Sequence, residues 1–410
     1  MPATTYDVVT AVWGIDFIDL FLNVCVLNQL SPGNLPALPA GSRYRILTRP
    51  EDVDRLAASL RLDAVRRLLP VDVVGVDVMD EGGTKARTIR NRYRMMTACH
   101  RRAVSDAAVR RAALIFLAPD FVLAHGTIAA LVRIHSSGKR AVLSANLRLA
   151  RESFVPAFAE CSADRAPAPR DLVRLAVGHL HPSTQWAMAD SANSNSFPET
   201  VLWPVCANPA GVEGYLVRAF SLHPLLLDPI RREELPRYTI DGHYLMRTGV
   251  RLKQCHVVED SDELVVFELT PAGRAIGGHE DGHGISLLRL AAVASRCDRY
   301  QRSHWRHAIR LHAADLGPQW NAAEAASAEF VRQVERYRPY GTALFQSYRL
   351  LHIWRQRRDA WFRAVRRTLR PRVTVKQVLR PAKVQMHRIA RASRLRMKQV
   401  RRSFRGFRIA

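Results

Sequence analysis

The residues best suited to chemistry follow a short apolar segment in the first third of the chain. Residues 113–118 are all apolar, and Pro119 and Asp120 come directly after them. An apolar run of this length between helix breakers predicts a fully buried strand, which is typical of parallel sheets. Asp120 would then lie at the carboxyl end of that strand, where open α/β sheets bind ligands. A carboxylate there could hold Mg²⁺ or Mn²⁺ beside a nucleotide diphosphate, or it could simply cap the following turn.

A second candidate is a short turn that contains an acid, a glycine and a histidine. Asp241, Gly242 and His243 are consecutive, so one turn could present a carboxylate and an imidazole to the same pocket. Asp241 could remove a proton from a hydroxyl group as a general base, and His243 could bind a metal or a diphosphate. The alternative is an ordinary Asp-Gly turn with a surface histidine.

Basic residues precede the Asp120 strand on a predicted helix over residues 85–104. Arg87, Arg90 and Arg94 follow one another at helical spacing and therefore share one face of that helix. Guanidinium groups arranged in this way could contact a diphosphate through paired hydrogen bonds. A solvated basic face is the alternative interpretation.

The densest acidic segment is residues 259–263, which contain four acids around Ser261. Carboxylate oxygens could bind a metal, but the glycine that a Ca²⁺-binding loop requires is missing. We therefore expect a solvated hairpin turn between two strands, predicted at 254–258 and 264–269.

The elements that must position these residues alternate between strands and helices. Five strands are predicted in the first 150 residues, at 6–13, 44–48, 71–78, 113–118 and 139–143. Such alternation predicts an α/β fold with a doubly wound, mostly parallel sheet. A further strand is expected at 200–205, where Pro204 favours an edge position. From Ile285 onward the chain is predicted to be mainly helical.

The order of these landmarks resembles the nucleotide-binding half of the GT-A glycosyltransferases. The first strand ends in Trp13-Gly14, the strand at 44–48 and a long helix follow, and a later strand closes in Pro119-Asp120. The resemblance is one of pattern and extends over about the first 270 residues. It implies a GT-A-like sheet, with Trp13 and Gly14 in the loop on the nucleobase side.

The same resemblance implies a glycosyltransferase with a nucleotide-sugar as co-substrate and a glycan or a lipid-linked molecule as acceptor. Members of this family use a DxD motif after the fourth strand to hold a divalent cation and the diphosphate. Here the segment reads Ala118-Pro119-Asp120, so only the second acid is present. Asp120 and His243 would be the metal residues, whereas Asp241 would act on the acceptor. The missing acid also permits a variant that works without a metal.

The positive charge of the chain is concentrated at its C-terminus. Residues 349–410 contain 21 Lys and Arg residues and a single acid, Asp359, so 20 of the 25 net positive charges lie there. Trp354 and Trp361 recur at helical spacing among the arginines, which predicts a basic amphipathic helical tail. Such helices bind anionic membrane surfaces. Nucleic-acid binding and a disordered solubilising tail are the alternatives.

These features divide the chain into four parts. Residues 1–150 form the nucleotide-sugar-binding half of an α/β domain, 151–284 its acceptor-side half, 285–348 a helical segment and 349–410 the basic tail. No apolar stretch approaches about 18 residues and no signal peptide is evident, so we expect a cytoplasmic protein, peripheral on the inner face of the cell membrane.

Two interpretations compete with that of a glycosyltransferase. The chain could be a non-enzymatic protein that binds nucleic acid or membranes through its tail. It could also be a degenerate glycosyltransferase-like module that binds without catalysing. No Walker A, GxSxG or GxGxxG motif occurs, which weighs against several other enzyme classes.

Overall fold

The computed structural model describes residues 4–77, 89–161, 166–195, 198–206, 211–228, 239–240, 244–274, 279–280, 284–343, 345–346 and 358; the side chains of residues 89–92 and 279–280 are outside this description. Within these ranges the strands are β1 (Tyr6–Ala11), β2 (Arg43–Thr48), β3 (Val71–Gly75), β4 (Ala113–Phe116), β5 (Phe121–Leu123), β6 (Ala141–Ser144), β7 (Leu147–Ala150), β8 (Ser194–Asn195), β9 (Thr200–Val205), β10 (Gly214–Ala219), β11 (His223–Leu227), β12 (Cys255–Val257), β13 (Val266–Thr270), β14 (His279–Glu280) and β15 (Ile309–His312).

The helices of the same ranges are α1 (Ile15–Leu20), α2 (Val26–Gln29), α3 (Val53–Ala57), α4 (Arg61–Arg66), α5 (Ile89–Arg110), α6 (Thr127–Ser136), α7 (Arg151–Cys161), α8 (Pro169–Val177), α9 (Pro182–Gln185), α10 (Leu287–Ala294), α11 (Arg299–His304) and α12 (Gln319–Tyr337). A π-helical turn, Phe21–Cys25, joins α1 to α2, and short 3₁₀ turns occupy Leu35–Ala37, Pro50–Asp52, Tyr244–Arg247, Leu252–Gln254 and Arg338–Tyr340.

The largest sheet has seven strands in the order β3-β2-β1-β4-β11-β6-β12. Strand β11 runs antiparallel to both β4 and β6, and the other neighbouring pairs are parallel. The five strands predicted in the first 150 residues are β1, β2, β3, β4 and β6, and all five run in the same direction. The predicted α/β class with a mostly parallel sheet is therefore confirmed.

The centre of this sheet contains a reversal of strand order. The chain builds β1, β2 and β3 outward to one side and then places β4 on the other side of β1. A ligand crevice is expected at such a switch point, outside the carboxyl ends of β1 and β4. All residues of β1 and β4 are buried, as in strands covered on both faces.

Two three-stranded sheets accompany the large one. Strands β15, β10 and β9 form an antiparallel sheet with β9 at its edge, as Pro204 predicted. In the other, β13 lies between β5 and β7, antiparallel to β5 and parallel to β7. Because β5 begins immediately after Asp120, this second sheet continues directly from the end of β4.

The chain separates into two compact units. The first comprises residues 1–286 and 297–333, and it contains the three sheets described above. Strand β15 lies within the segment predicted to be mainly helical, so that prediction missed one strand of the first unit.

The second unit comprises residues 287–296 and 334–410. Here α10 packs against the 3₁₀ turn Arg338–Tyr340, and the Arg296 guanidinium lies 4.2 Å from the centroid of the Phe345 ring. The predicted basic tail, except for residue 358, is outside the described residues. No helix of the described ranges is both long and apolar enough to cross a membrane.

Candidate active site

Asp120 lies in the turn after β4, at the switch point of the large sheet. Val9 is opposite Phe116 in the parallel pair of β1 and β4, so Trp13 and Asp120 each follow that pair by four residues. The two loops therefore leave the sheet at the same edge. Asp120 is only 9% exposed, which places an ionisable group in largely apolar surroundings.

A second acid, Glu268 of β13, lies beside Asp120. The backbone N–H of Leu269 donates to the Asp120 carbonyl oxygen at 2.8 Å, and Glu268 is opposite Phe121 in the pair of β13 and β5. The negative charge of Glu268 acts on Asp120 and raises its pKa. Position 118 is an alanine, but Glu268, from a strand distant in sequence, thus provides a second acid beside Asp120.

Three side chains hold the Glu268 carboxylate. Arg148 Nε donates to it at 2.9 Å, Asn146 Nδ2 at 3.3 Å and the Thr270 hydroxyl at 3.5 Å. One of these donors is a cation and two are neutral. Together they fix the position of the Glu268 carboxylate beside Asp120.

The surroundings of Asp120 favour the protonated form of its carboxyl group. Burial and then the charge of Glu268 raise the pKa of Asp120 to about 8, against the opposing effects of Arg148 and Arg274. The Asp120 carboxyl group is therefore mainly protonated at neutral pH and can donate a hydrogen bond. A carboxyl group with a raised pKa is suited to donating a proton in catalysis.

Arg274 provides an exposed cation near this pair. Its guanidinium carbon lies 6.0 Å from the centroid of the Phe17 ring on α1, and its charge acts on Asp120. Since α1 begins directly after Gly14, Arg274 is close both to the loop that follows β1 and to the acid. An anionic ligand at the switch point would meet this cation first.

Asn146 leaves a polar atom for a ligand. Its Nδ2 group binds Glu268, whereas its Oδ1 atom is buried and has no hydrogen-bond partner among the described residues. Buried polar atoms in native proteins nearly always have a partner, which can be a bound ligand or an ion. The amide oxygen is therefore positioned to accept a hydrogen bond from a ligand or to bind a cation.

An open depression of about 390 Å³ borders the Arg274 loop. Glu152 accepts a hydrogen bond from the Ala272 backbone N–H at 2.8 Å, which connects the rim of the depression to that loop. The depression is lined by Asp16, Asp19, Leu20, Arg151, Glu152, Val155 and Pro156. Three carboxylates lie on this lining among apolar side chains, and they could accept hydrogen bonds from the hydroxyl groups of a ligand.

Trp13 and Gly14 lie where the sequence placed them, after β1. Trp13 is partly buried against the main core. Gly14 has φ 79° and ψ 144°, a conformation that is essentially restricted to glycine, and its N–H donates to an Asp52 carboxylate oxygen at 3.0 Å. The backbone conformation of this turn explains why residue 14 is a glycine. Contact of this loop with a nucleobase stays a prediction.

The other predicted site residues are not located by the structure. Arg87, Asp241 and His243 are outside the described residues, and Arg90 belongs to α5 with its side chain outside them. Their roles stay predictions. Glu268 was missed, although an acid inside the apolar segment 264–269 is a signal that the sequence does contain.

Among the described residues, one group of three His, Cys, Asp or Glu side chains could hold a metal ion, and it does not include Asp120. Asp260, Asp262 and His312 bring their ligand atoms within 4.8 Å of one another. The acidic segment 259–263 contains a turn, as predicted. The turn is not the predicted hairpin, because β12 and β13 belong to different sheets, and its carboxylates have specific partners.

Comparisons with known proteins do not supply a family. No protein-family model matches the chain, and no characterised protein matches its sequence significantly. The sheet, the acid pair and the charge distribution are therefore the basis for assigning a function.

Proposed function

We propose that the protein is a GT-A-like glycosyltransferase that moves a sugar from a nucleotide-diphosphate donor to a glycan or lipid-linked acceptor. The observation that carries the proposal is the pairing of Asp120 with Glu268 at the switch point of a mostly parallel sheet. Crevices at this place in α/β sheets bind nucleotides. An acid pair with adjacent arginines fits the diphosphate side of such a ligand.

The donor would enter between the loop after β1 and the turn after β4. The Trp13 side chain would contact the nucleobase, and Arg274 would contact the diphosphate. A guanidinium group can make two parallel hydrogen bonds to phosphate oxygens. The protonated Asp120 carboxyl group would donate a further hydrogen bond to the oxygen on which charge develops as the sugar bond breaks.

A divalent cation fits the same group of side chains. Asp120, Glu268 and the unpartnered Asn146 Oδ1 are hard oxygen donors of the kind that Mg²⁺ and Mn²⁺ prefer. When bound, the ion would neutralise charge on the leaving diphosphate. Because the cation requires ionised ligands, it would compete with the proton on Asp120.

The acceptor would occupy the depression beside α7. Its carboxylates, Asp16, Asp19 and Glu152, can accept hydrogen bonds from sugar hydroxyl groups. Asp241 is the base proposed from the sequence, since a carboxylate is needed to remove the proton of the attacking hydroxyl. Arg148 donates a hydrogen bond to Glu268, so we assign Glu268 to positioning Asp120 and the ligand.

A calorimetric panel of UDP-, GDP- and CMP-sugars tests this proposal. One nucleotide class should bind, and transfer to a glycan acceptor should fall by at least roughly 100-fold in Asp120→Asn. The matched control is Asp171→Asn, which changes an exposed acid on α8. Failure of every nucleotide class to bind would overturn the proposal. Binding without transfer to any acceptor would instead favour the degenerate binding module.

The charge asymmetry of the chain supports a second component of this function. With 20 of 25 net positive charges in residues 349–410, we propose that the tail holds the enzyme on anionic lipids at the cytoplasmic face of the cell membrane. A lipid-linked acceptor would then be presented at the same surface. Nucleic-acid binding through the tail is the competing outcome, and it predicts a steep salt dependence with duplex DNA or RNA.

A further inference from the structure

A mixed group of nitrogen and oxygen ligands lies away from the Asp120 pair, in the same compact unit. Asp260 and Asp262 belong to the turn between β12 and β13, and His312 is the last residue of β15. His312 Nε2 is 2.9 Å from an Asp260 oxygen and 3.9 Å from an Asp262 oxygen. Two segments about 50 residues apart in sequence therefore converge on one point.

His312 is oriented as metal-binding histidines are. Its Nδ1 atom lies 2.9 Å from the Ala314 carbonyl oxygen, which can only accept, so Nδ1 carries the hydrogen. The Nε2 atom then faces the two carboxylates. Histidines that ligate metals commonly donate their other ring N–H to a backbone carbonyl in this way.

Burial fixes this orientation. The His312 side chain is 7% exposed, and its ring meets the edge of Trp320 at 6.0 Å between centroids and 82° between planes. The imidazole therefore has little freedom to turn away from the carboxylates. Such preorganisation lowers the entropy cost of binding an ion.

The carboxylate oxygens nearest His312 also accept hydrogen bonds from other donors, which fix their positions. Arg170 donates to both oxygens of Asp262, at 3.0 Å from Nε and 2.7 Å from an Nη atom. The Asp262 backbone N–H donates to an Asp260 oxygen at 2.9 Å. The carboxylates are more than 40% exposed, so an ion can reach them from solvent.

We propose that Asp260, Asp262 and His312 form a zinc site, with water completing the coordination. Tetrahedral Zn²⁺ with bonds of about 2.1 Å separates its ligands by about 3.4 Å. The observed His312 distances of 2.9 and 3.9 Å lie on either side of that value. One imidazole among the ligands favours Zn²⁺ over Mg²⁺ or Ca²⁺.

The site would link two parts of the fold. The ion would join the turn before β13 to the end of β15, where an isolated bridge already pairs Asp260 with Arg310. Strand β13 carries Glu268 at its middle position, so the link would stabilise the strand that supports the Asp120 pair. This role is structural and does not depend on the proposed glycosyltransferase activity.

Zinc titration of the full-length protein tests the site. The protein is stripped with a chelator and titrated with Zn²⁺ by calorimetry, in a background where the exposed Cys161 and Cys206 are replaced by serine to remove competing thiols. We expect one equivalent to bind and the melting temperature to rise. The exposed substitution Asp262→Asn should weaken binding by at least about 100-fold and abolish the thermal shift.

Two control substitutions outside the proposed zinc site test whether the loss of zinc binding is specific to it. Glu259→Gln changes a neighbouring acid that pairs with His307 at 2.7 Å, outside the cluster, and should leave zinc affinity unchanged. Asp120→Asn should also leave it unchanged, which separates this site from the candidate active site. Absence of zinc binding in the parent protein, or equal affinity in Asp262→Asn, would show that the cluster is only an ion pair and would overturn the proposal.

Discussion

The backbone N–H of Leu269 donates to the carbonyl oxygen of Asp120 at 2.8 Å. This hydrogen bond joins β13 to the turn after β4, and the preceding residue of β13 is Glu268. A pair of acids far apart in sequence is thereby created by strand pairing. Since the pKa of Asp120 depends on Glu268, the two must be tested together.

Asp120→Asn should change how stability depends on pH. The native state keeps the Asp120 proton up to a pKa of about 8, whereas the unfolded chain releases it near the ordinary value of 3.8. The native state therefore binds more protons in this window, and this group lowers the free energy of unfolding as pH rises through it. Asparagine cannot titrate, so the variant should gain stability relative to the wild type between about pH 4 and 8.

Urea unfolding at several pH values in that window measures the difference. Asp171→Asn is the control because its carboxylate is 61% exposed, and its curve should run parallel to that of the wild type. A parallel curve for Asp120→Asn would mean that Asp120 is ionised in the native state.

Two substitutions around Glu268 should move the pKa of Asp120 in opposite directions. Glu268→Gln removes the negative charge that raises this pKa, so the pKa should fall. Arg148→Met removes a positive charge that lowers it, so the pKa should rise. Titration by NMR with ¹³C-labelled aspartate follows the carboxyl carbon directly, and Asp120→Asn identifies its signal. A shift in the same direction for both variants would contradict the opposing effects of Glu268 and Arg148 on the pKa of Asp120.

The strand that precedes Asp120 could be predicted from sequence because the signal is local. An apolar run between breakers predicts β4, and Asp120 is the second residue after this run. Glu268 could be recognised as an acid inside a predicted apolar strand. The proximity of Glu268 to Asp120 could not be predicted, because it depends on the pairing of β13 with β5 and β7.

The parts that sequence missed share this non-local origin. Strand β15, in a segment predicted to be mainly helical, exists because it pairs with β10. Tertiary pairing of this kind overrides local propensity. The contact between His312 and Asp260 has the same cause, because nothing in the sequence around either residue indicates that the two lie together.

Buried histidines should make the protein sensitive to acid. Burial, assisted by nearby His223, lowers the pKa of His100 to about 3, and burial lowers that of His304 to about 4. Below the ordinary value of 6.5 the unfolded chain takes up these protons and the native state does not. The free energy of unfolding should therefore fall as pH drops below 6.5, by about 1.4 kcal/mol per pH unit for each histidine.

The variants His100→Asn and His304→Asn test this contribution. The Asn side chain offers an acceptor for the Ile240 N–H that now binds His100, and a donor for the Phe220 carbonyl that now binds His304. Each variant should show a shallower loss of stability between pH values of about 6.5 and 4.5 in urea unfolding. An unchanged slope would show that the replaced histidine titrates normally in the native state.

The basic tail should control attachment to lipid. Replacing Arg394, Arg396, Lys398, Arg401 and Arg402 together by glutamine removes five positive charges, each worth about 1 kcal/mol near an anionic surface. Sedimentation with phosphatidylserine vesicles should fall sharply, while binding to phosphatidylcholine vesicles should stay low for both proteins. Unchanged sedimentation would place the membrane contact elsewhere in the chain, and salt-dependent binding to duplex DNA in the parent protein alone would favour the nucleic-acid interpretation.

Arg274→Ala should weaken donor binding without weakening the fold. The side chain is exposed, so the free energy of unfolding should change by less than about 0.5 kcal/mol. Loss of a charge-assisted hydrogen bond to a phosphate oxygen should lower the affinity for a nucleoside diphosphate by about tenfold or more. The matched control is Arg67→Ala, another exposed arginine, which should leave affinity unchanged. Calorimetry with UDP, GDP and CDP measures the affinity of each variant. Equal affinities for the two variants would show that Arg274 does not contact the donor.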